Sequence, residues 1–248
     1  MNPLAAILDR ALAAPVVYHR AVATDADGTL WSVDVGDLLF STVGRRRDIR
    51  TEALATLRRH AAEHLPHVPD DPAELTEALL ARYAAGDIPI GPMCTLEAEA
   101  LGARSTAELS DLLDDVGAAV AETVRPEARA LLTDARARGF TVHVVSGSLG
   151  AAVEAVLRIA GLPYDTVSGA VLQTVDGHVA PTLAGPIPLF DGKVRALAAA
   201  GAWPAALGMG DGGWDVTFLR DVHVPVLMHP KPALEAAMAG HPRAVRVG

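Results

Sequence analysis

The chain of 248 residues carries 21 lysines and arginines against 30 aspartates and glutamates, a formal net charge of −9. This acidic balance argues against binding to nucleic acid, or to an anionic membrane, through a general basic field. The length accommodates one large α/β domain, or a core domain with a smaller insertion.

The single cysteine, Cys94, rules out an intramolecular disulfide and is typical of a reduced, intracellular protein. The apolar run from Leu4 to Leu12 is interrupted by Asp9 and Arg10, so we expect no signal peptide. The sequence has no stretch of about 18 uncharged apolar residues, the length that a membrane span needs. We therefore expect a cytoplasmic protein, monomeric or homodimeric, with no nucleic-acid or membrane partner.

The first predicted elements are a helix, a strand and a long helical segment. Leucine and isoleucine recur at helical spacing from Pro3 to Ala13. The short apolar run from Arg20 to Asp25 leads into an acidic, glycine-containing turn, which is typical of a buried strand. From about residue 35 to residue 124, leucine and alanine recur at intervals of three and four. This pattern predicts helices, with breaks at 66–72 and 86–92.

From Pro126 onward, strands and helices alternate. Ser148 is predicted to cap the helix that follows the second strand. Helices are predicted over Pro126–Arg138, from Ser148 to Gly161 and over Lys193–Ala200, strands over Phe140–Val145, Ala205–Gly210 and Val222–Met228, and a hairpin around Asp176-Gly177.

This alternation predicts parallel βαβ units and an α/β fold, a three-layer sandwich of the Rossmann type around a central parallel sheet. The helical segment interrupts the alternation, so we interpret it as a cap inserted after the first strand. The predicted α/β core comprises residues 1–32 and 125–248, and the predicted helical cap comprises residues 33–124.

Polar segments follow two of the predicted strands, where ligands bind in open parallel sheets. In Asp25-Ala26-Asp27-Gly28-Thr29, the glycine lets the backbone turn so that Asp25 and Asp27 share one site, although acidic residues with glycine are also common in ordinary turns. Ser146 and Gly147 offer a hydroxyl and bare backbone N–H groups, which suit an anion.

Two further charged segments lie at the start of a predicted helix and after a predicted strand. Lys193 lies in the first turn of a helix, where a cation is unfavourable toward the helix dipole unless an anion is bound nearby. Asp211 and Asp215 lie four residues apart in a glycine-rich loop after a strand. Oxygen ligands of this kind suit a hard cation.

In this order, the four segments resemble those of the haloacid dehalogenase superfamily on its phosphatase side, closest to the phosphoserine phosphatase and phosphorylcholine phosphatase group. The resemblance implies that Asp25 is the nucleophile and forms an aspartyl-phosphate, and that Asp27 is the general acid and base. It implies a phosphate site made by Ser146, Gly147 and Lys193, and a Mg²⁺ site made by Asp25, Asp27, Asp211 and Asp215, with Asp215 supporting either Lys193 or the metal shell.

The expected function is Mg²⁺-dependent hydrolysis of a small phosphomonoester, with amine-bearing compounds such as phosphoserine or phosphocholine as candidates. Trp31 and Asp34 are candidates for holding a cationic group, although Asp34 is also a candidate helix cap. Trp214 stands where phosphoserine phosphatases usually carry an asparagine, and either lines the pocket or packs beneath the loop. The alternatives are a phosphosugar phosphatase, a phosphotransferase or mutase, and a non-catalytic phosphate-binding regulator.

A competing motif, His60-Ala61-Ala62-Glu63-His64, fits the H-x-x-E-H pattern of inverted zinc peptidases and places both histidines on one helical face. The pattern is short, and no third ligand is evident in the sequence. We therefore interpret these histidines as surface residues.

Overall fold

The computed structural model describes residues 3–248, except for the side chain of Pro3. The helices are α1 (Pro3–Leu12), α2 (Val35–Arg45), α3 (Thr51–Ala61), α4 (Pro72–Ala84), α5 (Ile90–Glu99), α6 (Thr106–Ala121), α7 (Pro126–Ala137), α8 (Gly150–Ala160), α9 (Asp191–Ala199), α10 (Val216–Leu219) and α11 (Pro232–Met238). The strands are β1 (His19–Thr24), β2 (Thr141–Leu149), β3 (Thr166–Ala170), β4 (Leu172–Val175), β5 (His178–Leu183), β6 (Ala205–Gly210), β7 (Val224–Met228) and β8 (Val245–Val247). Within the described range, no helix combines the length and the apolar character that crossing a membrane requires.

Six parallel strands form the central sheet in the order β3-β2-β1-β6-β7-β8. The first strand in the sequence therefore lies in the interior of the sheet, with β2 on one side and β6 on the other. Parallel strands end at the same edge, so the residues that follow β1, β2 and β6 become neighbours there. The predicted central parallel sheet is confirmed.

Helices cover both faces of this sheet. Successive strand residues point to opposite sides, so neighbouring residues of β1 pack against different helices. Val22 of β1 packs in one apolar cluster with Leu8 of α1 and Leu131 of α7. Its neighbour Ala21 belongs to a second cluster, with Leu197 of α9. The predicted three-layer α/β sandwich is confirmed.

Helices α2 to α6 lie between β1 and α7 in the chain, within the segment predicted as the cap. They do not form a separate apolar core. Phe40 of α2, Leu79 of α4 and Leu113 of α6 belong to the same cluster as Leu157 of α8. The helical segment is thus packed onto the sheet domain, and its assignment as a distinct cap domain remains a prediction.

A two-stranded antiparallel hairpin, β4–β5, turns at Asp176-Gly177 as predicted and extends from the sheet domain to the loop between α5 and α6. The Ala103 N–H donates to the Val179 carbonyl at 2.6 Å, and the Val179 N–H donates to Arg104 at 2.8 Å. These backbone hydrogen bonds attach the helical segment to the hairpin.

The prediction that Ser148 caps a helix is wrong. Strand β2 continues past Val145 to Leu149, and α8 begins only at Gly150 without a side-chain cap. The Ser148 hydroxyl instead donates to the carboxylate of Asp27 at 2.7 Å. A tertiary contact has overridden the local preference of serine for an N-cap.

Candidate active site

The four polar segments meet at the carboxyl edge of the sheet. Asp25 directly follows β1, Asp211 directly follows β6, Ser146 lies in β2, and Lys193 lies in the first turn of α9. Asp25, Ser146 and Lys193 line one cavity. This convergence is the arrangement that the sequence predicted for an open parallel sheet.

Asp25 is 4% exposed and is held from two sides. Lys193 Nζ lies 2.6 Å from its Oδ1, and Thr29 Oγ1 donates to its Oδ2 at 3.1 Å. Burial, followed by repulsion from Asp215, raises the pKa of Asp25 to about 8, although the charge of Lys193 acts in the opposite direction. The carboxylate of Asp25 is therefore costly to keep ionised unless a further cation is present.

Lys193 bridges two carboxylates, because its Nζ also lies 2.6 Å from Asp215 Oδ1. Burial alone would lower its pKa, but the charges of Asp215 and Asp25 outweigh burial and raise it. The other oxygen of Asp215 accepts the backbone N–H groups of Asp211 and Gly212, at 3.1 and 3.0 Å. Asp215 thus orients both the lysine and the loop that carries Asp211.

Asp25, Asp211 and Asp215 bring oxygen atoms within 4.8 Å of one another, the sole group of three or more potential ligands found among residues 3–248. Asp211 Oδ1 is buried and has no hydrogen-bond partner in the described chain. A hard divalent cation prefers such oxygen donors. The donor set and the unpartnered oxygen therefore fit Mg²⁺.

Gly28 makes room for Asp211. Its φ of +79° lies in the left-handed region, and a Cβ atom there would lie 2.0 Å from Asp211 Oδ2. The glycine in the Asp25–Thr29 segment is therefore needed both for the turn and for the approach of the loop after β6.

Asp27 accepts four hydrogen bonds. Trp31 Nε1 and the Val35 N–H donate to Oδ1 at 2.7 and 2.8 Å. Ser146 Oγ and Ser148 Oγ donate to Oδ2 at 3.2 and 2.7 Å. Since a carboxylate offers about four lone-pair positions, the hydrogen-bonding capacity of Asp27 is filled by protein groups.

Trp31 does not lie where its ring could hold a cationic group of a ligand, as the sequence predicted. Its side chain is fully buried, and its indole N–H is used by Asp27. Within the described chain, the residues that line the cavity include Asp34 and Trp214 but not Trp31. Trp31 therefore orients Asp27 and offers no ring face to a ligand in the cavity.

The cavity above these residues has a volume of about 620 Å³, enough for a small metabolite. Many of its lining residues come from the end of α4, the following loop and α5. These lining residues are Tyr83, Ala84, Gly86, Ile88, Pro89, Ile90, Met93, Cys94 and Glu97.

One wall of the cavity is acidic. Asp34, Asp37 and Glu97 line it together. Burial is the largest cause of the raised pKa of each residue. The charges of neighbouring acids add to it for Asp34 and Glu97, and for Asp37 burial outweighs a hydrogen bond with Glu97 that lowers the pKa. Asp34 also caps α2, accepting from Gly36 and Asp37 at 2.9 and 3.0 Å. Asp34 is therefore the helix cap and also lines the cavity, and its predicted contact with a cationic group of the substrate stays a prediction.

The cavity is also lined by an aromatic ring and a second lysine. Trp214 lines the cavity, and Lys231 Nζ lies 5.5 Å from the centroid of its indole ring. The same Nζ lies 2.9 Å from Asp211 Oδ2. Of the two positions left open for Trp214, the structure shows the one that lines the pocket.

Sequence reasoning missed Asp37, Glu97, Lys231 and Phe190 as lining residues. Asp37 follows Asp34 by three residues, a spacing that places both on one side of a helical turn and was available as a signal. Glu97 and Lys231 reach the cavity from distant segments, and no local pattern marks them.

The H-x-x-E-H pattern is not contained in one helix. Helix α3 ends at Ala61, so Glu63 and His64 lie beyond it. His60 Nδ1 instead lies 2.5 Å from Glu99 Oε1. His60 and His64 belong to no group of three potential metal ligands found among residues 3–248.

The fold and the site together define an α/β protein with a buried acidic centre at the carboxyl edge of its parallel sheet, covered by inserted helices. Residues 22–220 match the sequence profile of the haloacid dehalogenase-like hydrolases. The chain therefore belongs to that family.

The sequence comparison finds a phosphoserine phosphatase among the relatives of this chain. Over 140 residues the chain is 34% identical to a phosphoserine phosphatase of Halobacterium salinarum (strain ATCC 29341 / DSM 671 / R1), an alignment that covers 54% of this chain and 66% of that protein. The chain thus spans slightly less than two thirds of that relative.

Two solved structures share the fold. A protein of unknown function from Bordetella pertussis Tohama I superposes with a TM-score of 0.71 at 20% identity, covering 92% of this chain and 98% of that one. A phosphoserine phosphatase, solved as an analogue of its phospho-aspartyl intermediate, superposes with a TM-score of 0.56 at 16% identity, covering 89% and 91%.

Proposed function

We propose that the protein is a Mg²⁺-dependent phosphomonoesterase that hydrolyses a small phosphorylated metabolite through an aspartyl-phosphate on Asp25. The observation that carries the proposal is the buried set of Asp25, Lys193, Asp211 and Asp215, of which Asp25 and Lys193 line a cavity of about 620 Å³. A carboxylate nucleophile needs positive charge beside it, because both it and its phosphate substrate are anions.

In the first step, a carboxylate oxygen of Asp25 attacks phosphorus, and the bond from phosphorus to the alcohol oxygen breaks. Asp27 gives its proton to that oxygen. In the second step, Asp27 takes a proton from a water molecule, which attacks the phosphorus of the aspartyl-phosphate and releases Asp25 with inorganic phosphate. Ser146, Gly147 and Lys193 bind the phosphoryl oxygens. Asp25, the Asp27 carbonyl and Asp211 would hold Mg²⁺, with Asp215 beside them. When bound, the ion would neutralise the negative charge of the nucleophile and the phosphate.

The acidic wall supports an amine-bearing substrate. Asp34, Asp37 and Glu97 all have raised pKa values, which means that their ionised forms are disfavoured. A cation placed among them would stabilise those ionised forms. No arginine lines the cavity in the described chain, and the lysines that do so contact Asp25, Asp215 or Asp211. This charge distribution favours a substrate with a cationic group over one, such as a sugar phosphate, that has none.

The test of the reaction is the hydrolysis of 4-nitrophenyl phosphate by the wild type and by Asp25→Asn. We expect activity that requires Mg²⁺, stops with EDTA and falls by at least about 1000-fold in the variant. Asp221→Asn, an exposed acid outside the cavity, is the matched control and should keep its rate. Activity that persists in Asp25→Asn would reject the covalent mechanism. Absence of turnover, with tight phosphate or metal binding, would support a regulatory protein instead.

The test of the substrate class uses Asp34→Asn, because asparagine still caps a helix but carries no charge. We expect kcat/KM for amine-bearing phosphates, phosphocholine and phosphoserine among them, to fall about tenfold more than for 4-nitrophenyl phosphate. Asp71→Asn, which changes the cap of α4 away from the cavity, controls for stability. Equal losses on both kinds of substrate would discard the cationic group.

A further inference from the structure

The backbone of Phe190 has a conformation that favours glycine. At this residue, which precedes α9, φ is +50° and ψ is −118°. A bulky side chain at a positive φ is an outlier, and such strain persists only where the surrounding structure imposes it. Residues held in this way cluster at functional sites. The reason for a phenylalanine at this position must therefore lie in what its ring can contact.

The side chain of Phe190 does not stabilise the fold from within a core. The residue is 48% exposed, and within the described chain it belongs to neither apolar cluster. Among residues 3–248, its ring takes part in no aromatic pair and no cation–π contact. A single exposed apolar residue is common on protein surfaces, but an exposed one whose backbone is also strained is not. Packing within the protein therefore does not account for the ring.

Phe190 lines the active-site cavity together with Lys193. The Lys193 N–H donates to the Phe190 carbonyl at 3.0 Å, so the two residues belong to one turn of the chain. Lys193 is 1% exposed, whereas Phe190 is 48% exposed, so solvent reaches the ring but scarcely reaches the lysine. When the phosphoryl group of a ligand lies at Lys193, the ring of Phe190 is available to the rest of that ligand.

The residue before Phe190 packs against the proposed phosphate site. A Cβ atom on Gly147 would lie 2.8 Å from Leu189 Cδ2, so the leucine side chain lies directly over the backbone of Gly147. The Leu189 carbonyl accepts the Gly192 N–H at 2.7 Å, which holds the start of α9 in the same place. Further apolar side chains line this cavity, namely Ile88, Ile90 and Met93. The phosphate site therefore adjoins an apolar surface, to which Phe190 adds an exposed ring.

We propose that Phe190 determines specificity by packing its ring against the organic group to which the phosphate of the substrate is attached. The proposal rests on the phosphate site of the proposed function. It adds that the substrate presents carbon atoms, and not only charge, next to its phosphoryl group. Covering the ring removes apolar surface from water, which favours binding. This role accounts for both the strain and the exposure of Phe190, because the substrate, rather than the protein core, covers the ring.

The experiment compares two phosphonates that share a head group and are not hydrolysed, methylphosphonate and n-butylphosphonate, by calorimetric titration in Mg²⁺. We expect the wild type to bind n-butylphosphonate about tenfold more tightly than methylphosphonate. Phe190→Ala should weaken the binding of n-butylphosphonate about 5- to 10-fold, and that of methylphosphonate less than about twofold. Phe190→Tyr keeps the ring and should keep the preference for the longer chain.

Phe190→Gly separates specificity from stability. Glycine adopts a positive φ freely, so this variant loses the ring together with the strain. We expect the same loss of n-butylphosphonate binding, with a melting temperature no lower than that of the wild type. Asp176→Gly is the matched control, because Asp176 has a φ of +49° in the turn between β4 and β5 and does not line the cavity. It should leave the affinities for both phosphonates unchanged.

Equal losses for the two phosphonates in Phe190→Ala would overturn this role, as would a wild type that binds neither phosphonate or shows no preference for n-butylphosphonate. A lower melting temperature of Phe190→Gly would also overturn it, since the ring would then serve the fold. Hydrolysis of 4-nitrophenyl phosphate tests the proposed function separately. If the wild type hydrolyses no ester but Phe190→Ala still loses the preference for n-butylphosphonate, the phosphatase function is rejected and Phe190 stands as a ligand-binding residue.

Discussion

At the residue scale, Gly28 connects the sequence motif to the geometry of the proposed metal site. A methyl group at this position would lie within the van der Waals radius of Asp211 Oδ2, and no flexible side chain is available to move aside without disturbing the site. The glycine therefore acts on Asp211, a residue that lies far away in the sequence. This relation links the loop after β1 to the loop after β6.

We predict that Gly28→Ala weakens Mg²⁺ binding and activity by at least about tenfold, since the new methyl group displaces Asp211. Gly177→Ala is the matched control, because its φ of +77° carries a similar backbone strain but nothing lies within 4 Å of the added Cβ. Calorimetric titration with Mg²⁺ measures the effect. Equal Mg²⁺ affinities of the two variants would show that the contact with Asp211 does not matter.

The sequence predicted the residues of the acidic centre because they follow strands in short, characteristic segments. Asp25, Lys193 and Asp211 needed only the order of the elements to be placed together. Trp31 could not be placed in this way, because the direction of a side chain after a turn depends on its partner, here Asp27 Oδ1. The position of Glu97 in the cavity depends on how α5 packs against α2, and no local pattern in the sequence predicts that packing.

At the element scale, the hairpin β4–β5 fastens the inserted helices to the sheet domain. A Cβ atom on Gly102 would lie 2.6 Å from Pro181 Cβ and 2.8 Å from its Cα, so backbone as well as side chain opposes any larger residue. The sequence predicted the hairpin from its turn, but it gave no indication of what the hairpin touches. Cross-element contacts of this kind depend on tertiary geometry.

We predict that Gly102→Ala separates the hairpin from the α5–α6 loop and destabilises the protein by about 1–3 kcal/mol. Gly91→Ala, at an open position within α5, is the control and should be neutral or stabilising by up to about 1 kcal/mol. Urea denaturation of both variants measures the difference. A stable Gly102→Ala protein would mean that the hairpin contact yields at little cost.

At the scale of the whole molecule, the fold concentrates negative charge at one edge of the sheet. The pKa of Asp25 is raised to about 8 from its ordinary value of 3.8, chiefly by burial and then by Asp215. A carboxyl group of this kind stabilises the folded protein fully below its ordinary pKa. That contribution is lost as the pH rises through the folded-state value. Asp34 and Glu97, whose pKa values are also raised, act in the same direction.

We predict that the melting temperature of the metal-free protein falls between pH 5 and pH 8, and that Mg²⁺ raises it more at pH 8 than at pH 5. Asp25→Asn should reduce both effects, since it removes a carboxyl group whose ionisation destabilises the folded protein. Thermal unfolding in EDTA and in Mg²⁺, across this pH range, measures them. A melting temperature that rises with pH in EDTA would contradict the assignment.

The overall architecture was the most predictable level, because alternating strands and helices allow few topologies. The net charge of −9 was also visible in the sequence, but its concentration around Asp25 and on the wall of Asp34 was not. Charge distribution depends on which segments the fold brings together.

The attachment of the hairpin to the α5–α6 loop also has a consequence for synthesis on the ribosome. The loop residues Ala103 and Arg104 find their backbone partner, Val179, only about 75 residues later in the chain. The inserted helices are therefore synthesised long before the strand that attaches them. The interval between β1 and its sheet neighbour β6 is longer still. A nascent chain that has not yet reached residue 179 lacks these hydrogen bonds, and the cavity residues Lys193, Trp214 and Lys231 are made later still. The cavity therefore takes its final form only when most of the protein has been made.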